Sequence, residues 1–340
     1  MILRFLCAAI VVALCGAAPA TADPGAGELS YGEVGDERGS MRYALYVPPG
    51  VGERPVPLVV HLHGGRDDVA LVAVRSRLNT LAREQGFVVV YPQESRAATG
   101  TGVWDWSGSA AAGREGRAPA LIAAITRQVR HRLPIAAHQV FVGGISAGAG
   151  MATVMAATYP DLFASVHTEV GCMYQGAGCE LPTPKPQSTF DPEQSGLLAF
   201  RAMGAYLHRM PFLVSSGSLD PIAQLSGQDA LVQQWLVTND YADDGAANGS
   251  VPRAPARVGT GRVNGRDYTV SAYADARGCL LGQRWLIDGL FHAYSGGQPT
   301  DPTDLLTDPT GPDIRAVAQQ FALRQTERTP DGSPACVPIH

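Results

Sequence analysis

Positive charge is scarce in this sequence, and lysine is almost absent. Its 340 residues carry 26 basic and 31 acidic side chains, for a formal net charge of −5, and Lys185 is the single lysine. Nucleic-acid binding needs a clustered basic face that neutralises phosphates. The charge balance therefore argues against nucleic acid as a partner.

Long hydrophobic runs are also missing. A membrane-spanning helix needs about 20 consecutive apolar residues, whereas the apolar run at residues 5–17 is shorter and no other segment approaches that length. Arg4 precedes this run and small residues ending at Ala22 follow it, which is typical of a secretory signal peptide. We therefore expect residues 1–22 to be a signal peptide. The protein is then expected to be secreted and extracellular, with no membrane span.

Cysteines are few, and their number is even once the signal peptide is removed. Cys172, Cys179, Cys279 and Cys336 would remain, and an even count in an exported protein indicates disulfides. Of the three pairings that four cysteines allow, we favour Cys172–Cys179 and Cys279–Cys336; four buried thiols are the alternative. A zinc site is disfavoured because no C-x-x-C pair or histidine cluster accompanies them.

Short apolar runs alternate with segments of helical periodicity along residues 23–340. Strands are expected within residues 41–47, 56–62, 87–91, 140–145, 163–170, 211–215, 268–273 and 285–287. Apolar residues at helical spacing lie between most of them, as at Leu71, Val74, Leu78 and Leu81. This alternation predicts an α/β fold with a mostly parallel central sheet flanked by helices. We interpret residues 23–340 as a single catalytic domain, with a core at about 40–326 and a tail at 327–340.

The stretch Gly144-Ile145-Ser146-Ala147-Gly148 is a G-x-S-x-G pentapeptide. It follows an apolar run and precedes small, helix-compatible residues, which is the context of a nucleophile on a sharp strand-to-helix turn. With 39 glycines in the chain, the pentapeptide is weak evidence by itself. Ser146 becomes a convincing candidate only with an acid and a base.

Both partners follow in the order expected of an α/β-hydrolase, serine, then acid, then histidine. Asp220 comes directly after a strand-like run, and His292 precedes a Gly-rich loop near the C-terminus. A histidine can take the serine proton when an acid holds it in the right tautomer. The competing side chains are less well placed, in helical, polar or mid-strand surroundings: Asp229, Asp240, Asp243, Asp244, His131, His138, His167 and His208.

Acyl transfer also needs hydrogen-bond donors for the developing oxyanion. The backbone N–H of Ala147 is one candidate, and His63-Gly64-Gly65 after an earlier strand supplies the second. The alternating His61 and His63 also allow a metal interpretation, but Gly65 stands where a binuclear site would need an aspartate. We expect no metal and no cofactor.

The chain resembles the polyhydroxybutyrate depolymerase family of secreted esterases, which includes feruloyl and acetyl-xylan esterases. The segments that carry the resemblance lie in the expected order, at residues 57–65, 143–148, 159–164, 289–297 and 307–313. It implies the α/β-hydrolase fold, the triad of Ser146, Asp220 and His292, and an oxyanion region at residues 63–65. It also implies that Trp104 and Trp106 line the substrate cleft, for which core packing is the alternative. Arg66-Asp67-Asp68 departs from the family pattern.

These observations predict a secreted serine esterase that cleaves carboxylic esters through an acyl-enzyme. Its expected substrate is a hydroxyalkanoate oligomer or polymer, or an acylated plant-wall saccharide, and we expect a monomer. The alternatives are a feruloyl or acetyl-xylan esterase, a peptidase, and a hydrolase-fold protein that binds without catalysis. Loops at residues 174–192 and 239–261 are expected to set specificity.

Overall fold

A ten-stranded sheet forms the centre of the computed structural model, which describes residues 27–108, 110–176 and 191–339. The strands, in chain order, are β1 Glu28–Asp36, β2 Gly39–Val47, β3 Val56–Leu62, β4 Val88–Gln93, β5 Ile135–Ile145, β6 Ser165–Glu169, β7 Phe212–Gly217, β8 Arg257–Val263, β9 Arg266–Ala274 and β10 Leu280–Ile287. Their spatial order is β1-β2-β4-β3-β5-β6-β7-β10-β9-β8. The predicted signal peptide lies outside the described residues.

The middle of the sheet is parallel, from β4 through β3, β5, β6 and β7 to β10. Antiparallel strands close both ends, with β1 and β2 beside β4, and β9 and β8 beside β10. A separate pair joins β11 Tyr294–Ser295 to β12 Thr307–Asp308. Because parallel strands end at one common edge, the carboxyl ends of β3, β5 and β7 bring their following loops together.

Helices cover both faces of the sheet. They are α1 Val69–Arg75, α2 Leu78–Gln85, α3 Arg96–Thr99, α4 Arg117–Arg132, α5 Ala147–Thr158, α6 Pro192–Met203, α7 Leu225–Asp244 and α8 Ile314–Gln325. Alternate residues of a strand point to opposite faces, so Leu58 and Val60 pack in the core under α4, α5 and α7, while Val59 packs under α1, α2 and α8. This architecture confirms the predicted α/β fold with its mostly parallel, helix-flanked sheet.

Several predicted boundaries were wrong. The helix expected from Leu71 to Leu81 is two helices, because Arg77 adopts a left-handed backbone (φ 57°) between them, and Leu71 is 43% exposed. The strand expected within residues 87–91 continues to Gln93, because Pro92 and Gln93 pair with β2 after the ladder with β3 has ended at Val90. Strand β1 was missed because its polar, largely exposed residues lack an apolar face.

The C-terminal tail is tied to the domain by a disulfide between Cys279 and Cys336, the pairing that the spacing favoured. Leu280 N–H also donates to Val337 O at 2.8 Å, and Val337 is buried beside β10. Cys179 lies outside the described residues, so the Cys172–Cys179 pairing stays a prediction. In the part of the chain that the structure describes, no helix is long and apolar enough to span a membrane.

Candidate active site

Ser146 stands on the turn between β5 and α5. Its backbone adopts φ 55° and ψ −121°, a conformation that non-glycine residues rarely take, and its N–H donates to Glu169 O of the neighbouring strand at 2.9 Å. α5 begins at the next residue, so the serine projects from the carboxyl edge of the sheet. This is the strained strand-to-helix turn that the pentapeptide predicts.

The two glycines of the pentapeptide are required by close backbone packing. A Cβ on Gly144 would lie 2.6 Å from Leu62 O at the end of β3. A Cβ on Gly148 would collide with the carbonyl oxygens of both Leu62 and His63. Because backbone oxygens cannot rotate aside, the turn keeps its position only with glycine at both places.

Asp220 and His292 meet at the same edge of the sheet. Asp220 follows β7, and its Oδ2 accepts a hydrogen bond of 2.8 Å from His292 Nδ1. Its Oδ1 accepts from the N–H groups of Ile222 and Ala223 at 2.7 and 2.8 Å, which fixes the carboxylate. With Nδ1 as the donor, the imidazole keeps Nε2 free of a proton, which is the tautomer that a general base needs.

Ser146 and His292 line one cleft of about 920 Å³. The Asp220 side chain lies behind His292 and is fully screened from solvent, whereas the His292 side chain is 13% exposed. No hydrogen bond joins Ser146 Oγ to His292 among the described residues. Catalytic hydrogen bonds often tighten only when substrate binds, and the cleft brings the two groups together.

The competing acids have other partners. Asp229 pairs with Arg284 at 2.8 Å, and Asp240 accepts hydrogen bonds from the N–H groups of Gly249 and Val251. Asp243 and Asp244 lie at the exposed end of α7, where they bond to Ser250 and Asn248. None of these four acids bonds to a histidine in the described chain, whereas Asp220 bonds to His292.

The competing histidines do not line the cleft either. His208 bonds to the backbone of Arg209 and Pro160. His131 and His138 are exposed, and His167 lies in the interior of the sheet.

The loop after β3 packs against the serine turn. A Cβ on Gly64 would lie 3.9 Å from Ser146 Cβ, and one on Gly65 would lie 3.9 Å from Ala147 Cβ. Within the described chain, no group accepts a hydrogen bond from the N–H of Gly65 or Ala147, and both residues line the cleft. These two amides can therefore donate to an oxygen of a bound ester.

His63 does not share that geometry. Its side chain is fully buried, Nε2 accepts from the N–H of Glu94 at 2.9 Å, and Nδ1 donates to Gly64 O at 2.6 Å. Burial lowers the pKa of the imidazole. The imidazole therefore supports the loop from behind and supplies no donor to the cleft. The expected place of His63 in the oxyanion region stays a prediction for its backbone.

The family model "Esterase PHB depolymerase" matches residues 41–254 of the chain. The chain belongs to this family. The match confirms the predicted family.

Individual relatives agree with the match. The poly(3-hydroxyalkanoate) depolymerase C of Paucimonas lemoignei is 29% identical over 273 residues, which are 79% of this chain and 61% of that protein. The chain thus spans less than two thirds of the depolymerase. Acetylxylan esterase A of Aspergillus oryzae is 28% identical over 227 residues, covering 62% of this chain and 71% of the relative. The solved acetyl xylan esterase of Aspergillus awamori shares the fold, with a TM-score of 0.60 at 24% identity over 77% of this chain and 94% of that one.

Two tryptophans form one wall of the cleft in this PHB depolymerase family member. Trp104 is almost fully buried, and its Nε1 donates to His63 O at 2.9 Å. The Trp106 ring packs over Gly150 of α5, where a Cβ would come within 2.8 Å of it. Both tryptophans line the cleft and both pack against neighbouring parts of the fold. The two interpretations of these residues, cleft lining and core packing, are therefore compatible.

Sequence reasoning missed a buried polar network beneath the cleft. Arg315 donates to Glu169 Oε2 at 2.8 Å, and Tyr294, which lines the cleft, bonds to His61 Nε2 at 3.1 Å. Burial raises the pKa of Glu169 to about 7, against the opposing effect of Arg315. Burial also lowers the pKa of His167 to about 3. A charged residue ending an apolar strand was the available signal for Glu169.

Residues 239–261, one of the two loops expected to set specificity, do not line the cleft. Part of residues 239–261 belongs to α7 and β8, and none of this stretch is among the described residues that line the cleft. The expectation for this stretch was wrong because its small and polar residues suit an exposed helix end and an edge strand as well as a loop. Residues 177–190 of the other predicted loop lie outside the described chain.

Proposed function

We propose that this chain hydrolyses carboxylic esters through an acyl-enzyme on Ser146, with His292 as general base and Asp220 as the acid that orients it. The observation that carries the proposal is the 2.8 Å hydrogen bond from His292 to Asp220, in the cleft that Ser146 lines from its strained turn. A serine hydroxyl is a weak nucleophile until such a base removes its proton.

In the proposed first step, Ser146 Oγ attacks the ester carbonyl while His292 Nε2 takes the hydroxyl proton. Asp220 stabilises the resulting imidazolium. The amides of Gly65 and Ala147 donate to the negative oxygen of the tetrahedral intermediate. His292 then returns its proton to the departing alcohol, and water releases the acyl group by the same sequence of steps.

We assign hydroxyalkanoate oligomers as the leading substrate class, because the depolymerase relative aligns over most of this chain. Acylated plant-wall saccharides are the second candidate, supported by the acetylxylan esterase relatives. We further propose that residues 1–22 direct secretion and that the protein acts as a monomer. These assignments separate in a comparison of hydroxybutyrate oligomers, acetylated xylan and feruloyl esters on one preparation.

The catalytic assignment is tested by replacing Ser146 with alanine and measuring the hydrolysis of a short-chain aryl ester. Loss of a catalytic nucleophile lowers kcat by about 10⁴-fold or more. Ser107→Ala is the matched control because Ser107 also lines the cleft, and it should retain activity. Unchanged turnover by Ser146→Ala would refute the assignment. If the folded wild type fails to react with a fluorophosphonate, a binding protein without catalysis is favoured.

A further inference from the structure

Two exposed arginines, one lining the cleft and one beside it, lack an acidic partner in the described chain. Arg66 lines the cleft and is exposed, and Arg96, also exposed, begins the short α3 beside it. Gly102 lies between them: a Cβ there would come 3.8 Å from Arg66 Cα and 3.1 Å from Arg96 Cγ. Neither guanidinium has an ion pair in the described chain, although the protein has a net charge of −5.

Two of the acids that line the cleft near Arg66 are paired with other arginines. Asp67 pairs with Arg75 at 2.8 Å, and Glu94 pairs with Arg117 at 2.9 Å. Asp68 caps α1 by accepting a hydrogen bond from the N–H of Ala70 at 2.8 Å. Asp105 also lines the cleft, and neither of these two acids forms an ion pair with Arg66 or Arg96 in the described chain. The charge of Arg66 and Arg96 is therefore available to a ligand.

The backbone of Arg66 is strained and held in place. Its φ is 64°, in the left-handed region where arginine is disfavoured and glycine is not. Its N–H donates to Gly102 O at 3.0 Å, and Gly102 N–H donates to Thr99 Oγ1 at 2.9 Å. Strain of this kind persists at functional sites, where the surrounding structure imposes it.

From these observations, and on the basis of the proposed function, we infer that Arg66 and Arg96 form a subsite that binds a carboxylate of the ester substrate. The guanidinium fork matches a carboxylate in two parallel hydrogen bonds, and Thr99 and Thr101 of the same loop also line the cleft. Arg66 directly follows Gly65, whose amide faces the reacting carbonyl in the proposed mechanism. A short acidic chain can therefore reach both places.

The chemistry identifies a carboxylate, which has two sources among the proposed substrates. It is either the free acid end of a short hydroxyacid oligomer or a uronic acid group on a wall saccharide. A neutral ester such as a plain acetate does not use the subsite. The inference predicts that the enzyme prefers acidic esters to neutral esters of the same length.

The kinetic test compares nitrophenyl hydrogen adipate with nitrophenyl hexanoate, which differ in a terminal carboxylate. Arg66→Asn removes the charge with a residue that tolerates the left-handed backbone. It should lower kcat/KM for the adipate by about tenfold or more through a higher KM, and leave the hexanoate unchanged. Arg132→Gln, which removes one exposed charge at the end of α4, away from the cleft lining, should change neither value. Equal losses for both esters in Arg66→Asn would overturn the inference.

Salt dependence supplies a second kinetic readout. Raising the ionic strength from about 0.01 to about 1 M shortens the Debye length from about 30 to about 3 Å. The KM for the adipate should rise in the wild type and change much less in the double variant Arg66→Asn/Arg96→Gln. The same salt response in both proteins would contradict a role for these arginines.

Binding measurements separate this inference from the proposed function. Calorimetry on Ser146→Ala should detect a hydroxybutyrate dimer or a glucuronate-bearing xylo-oligosaccharide, with binding lost in the double arginine variant. Whichever acid binds identifies the source of the carboxylate. Binding of neither, or binding that survives the double variant, overturns the subsite. If the wild type cleaves neither nitrophenyl ester, the proposed function fails and this measurement still decides the inference.

Discussion

Gly148→Ala tests whether close packing between β3 and the serine turn holds Ser146, the proposed nucleophile, in place. The added methyl group would meet the carbonyl oxygens of Leu62 and His63, which belong to the backbone and cannot change rotamer. β3 and α5 must then separate, and the Ser146 turn moves with α5. Both stability and activity should respond to this one methyl group.

The size of the effect follows from two opposing contributions. Overpacking a rigid site costs about 1–3 kcal/mol, and the double backbone contact places Gly148 at the upper end of that range. Alanine in a helix is more favourable than glycine by about 1 kcal/mol, so the free energy of unfolding should fall by about 2 kcal/mol. A displacement of about 1 Å at a catalytic group can lower the rate by about 10²-fold.

Urea unfolding and the kcat/KM for an aryl ester measure the two effects. Gly259→Ala is the control, because a Cβ at this position in edge strand β8 makes only an ordinary contact of 3.6 Å with Val270. That variant should keep both its stability and its activity. If Gly148→Ala matches Gly259→Ala in both measurements, the packing explanation for the pentapeptide glycine is wrong.

Two further predictions concern the periphery of the domain. Cys336→Ser opens a disulfide to Cys279 at a sequence separation of 57, and chain entropy predicts a loss of about 4 kcal/mol in the free energy of unfolding; an unchanged urea midpoint would contradict this. Burial raises the pKa of Asp304, but hydrogen bonds from Thr300 and Arg75 outweigh it and lower the pKa to about 2. Stability from this group is present above about pH 4 and lost as pH falls towards 2, so Asp304→Asn should cost about 2 kcal/mol at neutral pH. In a pH series of thermal unfolding, that cost should shrink below about pH 4; a constant difference would refute it.

The centre of the fold could be predicted from the sequence because its strands are buried on both faces. β3 occupies residues 56–62 as the continuous apolar run indicates. β1 could not be predicted in this way, since it is an exposed strand stabilised by pairing with β2. The division between α1 and α2 depends on the backbone of Arg77, for which hydrophobic spacing carries no signal.

The candidate site shows the same division between local and distant contacts. The turn around Ser146 is a local pattern, and the positions of Asp220 and His292 follow from strand ends and chain order. The supporting role of His63 depends on Glu94, and the ion pair between Glu169 and Arg315 joins residues 146 positions apart. Contacts at such separations form only when the sheet assembles, so no local sequence pattern predicts which two residues will meet.

The central claim is that Ser146 carries the acyl group during turnover. Acid-quenched samples taken during hydrolysis of a short-chain aryl ester, digested and analysed by mass spectrometry, test it most directly. We expect the mass of one acyl group on the peptide that contains Ser146, and none in Ser146→Ala. Continued hydrolysis with no acylated peptide, or with the acyl group on another residue, would contradict the account.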